Sequence, residues 1–326
     1  MTRVLVTGCA GFIGFHISSR LLDLGYPVVG LDNLSPFYDE GLKAARLNLL
    51  NEKPDFKFFK GDLSDPSAIA KLFNTEEFGP IVHLAAQAGV RYSIENPEVY
   101  VKTNLAGFSN LIEAAAKMRV PHLLYASSSS VYGANQKVPF SEKDMVDRPL
   151  SLYAATKKSN ELIAHVYAHL YRLPVTGVRL FTVYGPWGRP DMALFKFTRA
   201  IIRGDAIEMY NHGKMQRDFT YVDDVVEGLV RLLKGSPAEA WSGVPPYRIF
   251  NLGNHQPVEL ARLIQVLEEK IGRKATLKMV PMQPGDVPVT YADNDELFNA
   301  VGYRPSTPIE VGVGHFVDWY RQHYSC

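Results

Sequence analysis

Between residues 4 and 14 the chain runs from Val4-Leu5-Val6 through Thr7-Gly8-Cys9-Ala10-Gly11-Phe12-Ile13-Gly14 into an amphipathic segment carrying Leu21, Leu22 and Leu24. No other stretch restricts the fold as strongly. A buried strand, a glycine turn and a helix form the context that a dinucleotide-binding fingerprint requires. Glycines let the backbone approach a pyrophosphate. The helix N-terminus adds N–H donors and a favourable dipole. The spacing is G-x-x-G-x-x-G rather than G-x-G-x-x-G, and a purely structural glycine turn is the competing reading. Cys9, inside the turn, reads as a small packing residue.

The pattern repeats downstream. Pro27-Val28-Val29-Gly30-Leu31 reads as a strand ending at Asp32. A carboxylate there can bind both adenosine ribose hydroxyls and would repel a 2′-phosphate. No Arg follows in Asn33-Leu34-Ser35, so the reading is NAD rather than NADP, with a helix N-cap as the other role for Asp32. Phe56 to Phe59 leads to Gly61-Asp62-Leu63, where Asp62 could meet the adenine amine or cap a turn before Pro66. Ile81-Val82-His83-Leu84 ends in Ala85-Ala86-Gln87-Ala88-Gly89, small residues that let a cofactor lie against the backbone. His83 reads as a satisfied core histidine. Leu123 to Ala126 ends in four serines, Ser127 to Ser130, and Val175 to Leu180 ends at Phe181. Helices are expected over 38–51, over 97–118 with Asn104, and from Tyr153 to about Tyr171. Lys43 and Arg46 in the first of these read as solvated charges.

Strands alternating with helices, with glycine or small residues at strand ends, specify an α/β fold with a doubly wound, Rossmann-type parallel sheet. Ligands in such sheets bind beyond the carboxyl ends of the strands. Asp32, Asp62, Ala85, Ser128 and Phe181 all stand at such ends. After residue 180 the alternation breaks and Pro and Gly become frequent, with helices expected near 193–203, 223–234, 257–271 and 307–324. The expected division is a NAD-binding domain over 1–180 and a smaller mixed α/β substrate-binding domain over 181–326. Segments near 219–234 and 248–252 are expected to return to the sheet.

Composition narrows the partners. With 326 residues the chain can bury a large core, and its formal net charge of +1, without a basic tract, argues against nucleic acid. No apolar run is long enough to span a bilayer, and the N-terminus shows no signal-peptide pattern. Two cysteines, Cys9 and Cys326, make no disulfide framework, so a cytoplasmic location is expected, and no metal site is expected.

Tyr153-Ala154-Ala155-Thr156-Lys157 places a phenol and an amine four residues apart, on one face of a helix. A neighbouring ammonium favours the phenolate and can make Tyr a usable base. Holding an unperturbed phenol ionised at pH 7 would cost roughly 4 kcal/mol. Lys157 and a positively charged cofactor ring are the sources of stabilisation. A solvated helix face is the competing reading of the pair.

The glycine turn, Tyr153-x-x-x-Lys157 and Ser128 before Val131-Tyr132-Gly133 together resemble the extended short-chain dehydrogenase/reductases over almost the whole chain. Asp32-Asn-Leu-Ser-Pro-Phe-Tyr-Asp39, Gln87-Ala-Gly-Val-Arg-Tyr-Ser93, the run from Phe181 to Ala193 and the run from Asn211 to Tyr221 narrow the resemblance to nucleotide-sugar 4-epimerases. Within these, the chain is most similar to the UDP-glucuronate 4-epimerases. The resemblance implies a UDP-sugar substrate and a tightly bound NAD. That cofactor would lie against Gly8, Gly11, Phe12, Ile13, Gly14, Asp32, Asn33, Asp62, Leu63, Ala85, Ala86, Gln87, Asn104, Tyr153 and Lys157.

The resemblance also implies that Tyr153 takes the proton of the sugar 4-hydroxyl, with Lys157 lowering its pKa and Ser128 bonding the same oxygen. Oxidising C4 of a uronic acid makes a β-keto acid, so the carboxylate must be held in a non-leaving orientation. Ser129, Ser130, Thr182 and Arg189 are the candidates for that task, and a guanidinium can fork onto a carboxylate. Gln87 and Arg91 join the substrate side. Arg217 is implied for the diphosphate, Tyr210 for the uracil and Asp286 for the uridine ribose. Gln283 stands where relatives often carry Arg, which leaves the second diphosphate contact open. A homodimer through the helices at 97–118 and 152–171 is implied as well.

Rival readings are a UDP-glucose or UDP-N-acetylhexosamine 4-epimerase and a UDP-uronate decarboxylase, which usually carries Glu where Ser130 stands. A 4,6-dehydratase needs an acid pair where Ser129 and Ser130 stand. A non-catalytic NAD-binding regulator predicts loss of Tyr, Lys or Ser, and all three are present.

Overall fold

The computed structural model describes residues 2–236, 244–282 and 287–326. The first strands are β1 (Val4–Thr7), β2 (Val28–Asp32), β3 (Phe56–Lys60), β4 (Ile81–His83), β5 (Leu123–Ser128) and β6 (Val175–Leu180). They are followed by β7 (Thr182–Tyr184), β8 (Ala206–Tyr210), β9 (Gln216–Tyr221), β10 (Tyr247–Leu252), β11 (Pro257–Glu259) and β12 (Thr276–Val280). Seven of these make one sheet in the order β10-β6-β5-β4-β1-β2-β3. Its pairings are all parallel. Strand order reverses at β1, which lies between β2 and β4, and that reversal opens a crevice at the carboxyl edge.

β1 and β2 are buried at every position. The alternation of side chains along a strand explains how both faces are used. Val4 and Val6 enter a core with Ile17, Leu21, Val222 and Val225. Leu5 enters the opposite core with Ile69, Leu111 and Ala164. The Phe12–Asp23 and Val222–Lys234 helices therefore cover one face. The Pro66–Thr75, Gly107–Lys117 and Leu152–Tyr171 helices cover the other. Register brings the strand ends into line: Thr7 pairs with Leu31 and His83, and Ser128 pairs with Leu180. Behind that edge, Arg179 of β6 forks onto Glu161 of the Leu152–Tyr171 helix with two bonds of 2.9 Å. Glu161 also accepts from Ser127 Oγ at 2.6 Å, so this buried pair fixes the end of β5.

Four expectations change. Of the segments expected to return to the sheet, Tyr247–Leu252 does so as the edge strand beside β6. The Val222–Lys234 helix also returns, covering one face of the large sheet beside Phe12–Asp23, whereas β9 just before it lies in a separate three-stranded sheet, β11-β9-β7. The helix expected over 97–118 contains a π-helical stretch, Val101–Ala106, ahead of Gly107–Lys117. The helix expected from 257 starts at Leu260, because Pro257–Glu259 pairs with β9. Finally, Lys43 and Arg46 on the Glu40–Asn51 helix are buried rather than solvated. The loop at 185–188 lies over that helix and takes hydrogen bonds from Arg46. Helical periodicity within 38–51 carries no sign of a cover supplied from so far along the chain.

Cys9 and His83 behave as expected. Cys9 is fully buried, and burial pushes its thiol pKa up. His83 Nδ1 lies 2.7 Å from Thr7 Oγ1, and burial lowers its pKa to about 3. Among the described residues no helix is long and apolar enough to cross a membrane, and no group of His, Cys, Asp and Glu is placed to hold a metal.

A methyl group added at Gly14 would overlap the carbonyl oxygen of Gly8, and backbone cannot step aside as a flexible side chain could. Gly14→Ala is expected to cost about 1–3 kcal/mol of stability or more. It should also yield protein without bound nucleotide, checked by thermal melts and by the absorbance of extracted cofactor.

Candidate active site

The carboxyl edge of the sheet opens into a cleft of about 730 Å³. Its floor is the glycine turn. Gly8 has φ +75°, in the region that favours glycine, and a Cβ there would come within 2.8 Å of Ala85 N. The Phe12–Asp23 helix begins at Gly11 with no side-chain cap and no acidic residue in its first turn. Phe12, Ile13 and Gly14 line the cleft. An uncapped helix N-terminus facing a cleft fits a pyrophosphate.

Asp32 sits beside this turn and is 8% exposed. Its two oxygens accept from Ala10 N at 3.1 Å and Leu34 N at 2.8 Å. The carboxylate is thereby fixed at the cleft wall, and it caps no helix. Asn33 Nδ2 donates to Asp62 Oδ2 at 3.0 Å. Asp62 also accepts from the backbone N–H and hydroxyl of Ser64, and these bonds lower its pKa although burial opposes them. Asp65, not Asp62, caps the Pro66–Thr75 helix. Leu63, Ala85, Ala86 and Gln87 complete this side of the cleft.

Asn104 does not line the cleft; it braces it. Its Oδ1 accepts from Gln87 N at 2.8 Å, and its Nδ2 donates to Gln87 O at 3.0 Å and to Thr156 Oγ1 at 3.1 Å. Asn104 lies in the π-helical stretch, where one register step turns a side chain toward the interior. Asn160 Nδ2 donates to Asn104 O at 2.7 Å, tying the stretch to the helix that bears Tyr153.

Tyr153, Lys157 and Ser128 meet at the opposite wall. Ser128 Oγ donates to Ser130 Oγ at 3.1 Å and accepts from Ser130 N at 3.1 Å, beside the Tyr153 phenol in the cleft lining. Lys157 Nζ donates to Ala126 O at 2.9 Å. Burial raises the Tyr153 pKa; the Ser128 hydrogen bond and the Arg189 charge oppose the rise. The sequence reading assigned that opposition to Lys157 and a positively charged cofactor ring. In the fold the Arg189 charge adds to that opposition, and Lys157 Nζ is bonded to a backbone carbonyl on the same wall. Burial lowers the Lys157 pKa to about 8.

Arg189 also lines the cleft. Asp191 takes its Nε at 3.0 Å and its Nη2 at 2.6 Å, and its guanidinium lies 5.8 Å from the Phe37 ring centroid. Thr182 lies on a narrow adjoining cavity that shares Phe12, Val183 and Arg189 with the cleft. Ser129 and Ser130 form the short turn after β5, and Ser128 caps it. Arg91 stacks over Tyr210 at 4.9 Å, so these two expected substrate residues come together, outside the main cleft. Arg217 donates to the carbonyls of Gln216 and Pro288. Asp286 and Gln283 lie outside the described residues. The sequence reading missed Phe37, Tyr38 and Lys43 as cleft residues, although the first two stand in the run after Asp32 that it singled out.

Residues 4–253 match the model of the NAD dependent epimerase/dehydratase family. The chain belongs to that family. It is 50% identical to UDP-glucuronate 4-epimerase 1 of Arabidopsis thaliana, over 98% of this chain and 77% of that one. Its fold matches a crystal structure of UDP-glucuronic acid 4-epimerase from Bacillus cereus in complex with UDP-glucuronic acid and NAD. That match has a TM-score of 0.90 at 31% identity, over 99% of this chain and all of the other (100%). A UDP-glucose 4-epimerase from Thermotoga maritima with UDP-glucose has a TM-score of 0.89 at 29% identity, with 99% of both chains covered. The backbone alone separates the two substrates poorly; the 50% identity carries more weight.

Lys157 gives a pH signature. Its folded pKa of about 8 lies below the ordinary 10.5, so between these values the unfolded chain binds the extra proton and stability rises with pH. Relative to Lys157→Met, the wild-type protein without nucleotide is expected to gain on the order of 3 kcal/mol across that window. Urea melts at pH 7.5 to 10.5 in ~0.5 steps would check it; parallel curves would contradict the assignment.

Proposed function

We propose that this chain is a UDP-glucuronate 4-epimerase that interconverts UDP-glucuronate and UDP-galacturonate through a 4-keto sugar. The observation that carries the reading is the identity of 50% over 98% of the chain with a UDP-glucuronate 4-epimerase. It is joined to a cleft in which Tyr153, Ser128 and Arg189 share one wall space. Bound NAD would supply the hydride acceptor and return the same hydride to the opposite face of the sugar carbon.

The chain's own residues would divide the remaining work. Tyr153 takes the 4-hydroxyl proton, and its raised pKa requires a cation before it can act as a base near neutral pH. Arg189 and Lys157 would supply part of that field, and bound NAD would bring a further positive charge. Ser128 holds the same oxygen in line. Lys157, anchored on Ala126 O, is left to orient the nicotinamide ribose. Arg189 and the hydroxyls of Ser129, Ser130 and Thr182 hold the carboxylate near the carbonyl plane, where loss of CO2 is slow. Residues 181–326 grip most of the nucleotide sugar, with Tyr210, joined by Arg91 from the first domain, toward the base and Arg217 toward the diphosphate.

The exposed apolar residues Leu162, Val166, Leu170 and Tyr171 recur at helical spacing on Leu152–Tyr171, with Val101 and Met118 on the neighbouring helical segment. Such a stripe fits a homodimer formed by these helices. Free Cys9 and Cys326 fit a cytoplasmic setting. Leu162→Glu with Val166→Glu is expected to shift the sedimenting species from dimer to monomer; a monomeric wild type would end the dimer reading.

Tyr153→Phe is expected to lower epimerisation by about 10²–10⁴-fold while retaining NAD and binding UDP-glucuronate. The wild type, offered UDP-glucuronate, UDP-glucose and UDP-N-acetylglucosamine with products resolved by NMR, should turn over the uronate. Preference for a neutral sugar would replace this reading with a hexose 4-epimerase.

A further inference from the structure

Arg46 is fully buried, although its spacing on the Glu40–Asn51 helix gives no reason to bury a charge. Its Nη1 donates to Ala10 O at 2.9 Å and to Tyr38 Oη at 2.8 Å. Its Nη2 donates to Trp187 O at 2.6 Å and, more weakly, to Gly188 O at 3.5 Å. Its Nε has no partner. All of these partners are neutral oxygens. Asp32 acts on Arg46 through its charge but makes no bond to it, and a buried guanidinium with no bonded carboxylate is costly, so stability alone accounts poorly for it.

The partners show what it joins. Ala10 belongs to the glycine turn, and its N–H is fixed by Asp32. Trp187 belongs to a loop of unusual backbone, with φ +60° at Trp187 and +144° at Gly185. A non-glycine residue at positive φ needs its surroundings to hold it. The loop makes its own turn through Gly188 N to Gly185 O at 3.1 Å, and His16 on the Phe12–Asp23 helix lies 2.9 Å from Pro186 O. The next residue is Arg189. Tyr38, the lateral partner of Arg46, adjoins Phe37, whose ring Arg189 covers.

We propose that Arg46 is a positioning residue for Arg189: it clamps the 185–188 backbone to the glycine turn and so sets where the Arg189 guanidinium meets the substrate carboxylate. The proposal rests on the reading of Arg189 as a ligand of that carboxylate. Arg46 itself touches no substrate. Its influence falls on substrates that carry the carboxylate and spares those that do not. A general structural role would weaken both alike.

The test is binding by the NAD-loaded Tyr153→Phe protein, which allows equilibrium measurement without turnover. Dissociation constants for UDP-glucuronate and UDP-glucose are read by calorimetry with Arg46→Met, Arg189→Ala and both changes added. Each single change is expected to raise the UDP-glucuronate constant about tenfold, as for loss of a charge-assisted hydrogen bond. The UDP-glucose constant should stay within about twofold, and the double variant should bind no worse than Arg189→Ala alone, because coupled sites are not additive.

An unchanged Arg46→Met, an equal loss for both sugars, or full additivity overturns the proposal while leaving Arg189 in place. No effect of Arg189→Ala removes Arg189 from the carboxylate and the proposal with it. Thermal melts check folding. If Arg46→Met does not fold, Arg46→Lys, too short a fork to reach both carbonyls, and Tyr38→Phe carry the test. Each is expected to raise the UDP-glucuronate constant by roughly threefold on loss of part of the network, and no rise in either overturns the proposal.

Discussion

The contact between Gly14 and the Gly8 carbonyl is the constraint on which the site depends. It seats the first turn of a helix against the end of a buried strand, closer than any side chain permits. That seat aims uncapped N–H groups into the cleft and fixes the turn whose Ala10 N–H meets Asp32 and whose Ala10 carbonyl meets Arg46. The two ends of one peptide-rich turn thus tie the β2 carboxylate and the 185–188 loop to the same point. The other wall has a comparable anchor in the Arg179–Glu161 pair, which is buried and forked and holds Ser127 at the end of β5. Between these anchors the reactive groups have little freedom to drift.

The electrostatics of Tyr153 show which effect wins. Burial alone would make the phenol a worse base, and the Ser128 hydroxyl and the Arg189 charge do not overcome it. Lys157, four residues on, spends its hydrogen bond on Ala126 O, and burial lowers its own affinity for a proton. The chain by itself therefore holds Tyr153 as a neutral phenol. If Tyr153 is the base, a cationic ring bound beside it would be the further charge it needs. This arrangement suits an enzyme whose oxidised sugar is prone to lose CO2.

Much of the fold was readable along the chain. Strand-ending residues from Asp32 to Phe181 predicted the sheet edge because a parallel sheet places every carboxyl end on one side. Local period predicted helices such as Ala193–Arg203 and the Tyr153 helix within a residue or two. It misjudged Lys43, which turns back onto Ser35 O, and Arg46, whose cover arrives from residues about 140 positions away. It also missed the π-helical stretch that turns Asn104 inward, since a one-residue change of register leaves little trace in a hydrophobic pattern.

Sequence alone determined the strand–glycine turn–helix, the phenol and amine on one helical face, and the family to which the chain belongs. The first two follow from backbone sterics and short-range periodicity, which are local, and the family from the resemblance of whole motifs. Tertiary structure alone decided that Lys157 is bonded to Ala126 O, that Asp191 already grips Arg189, and that a buried Arg46 joins the glycine turn to the Arg189 loop. Those are matters of distance between segments far apart in the chain, and only packing sets them.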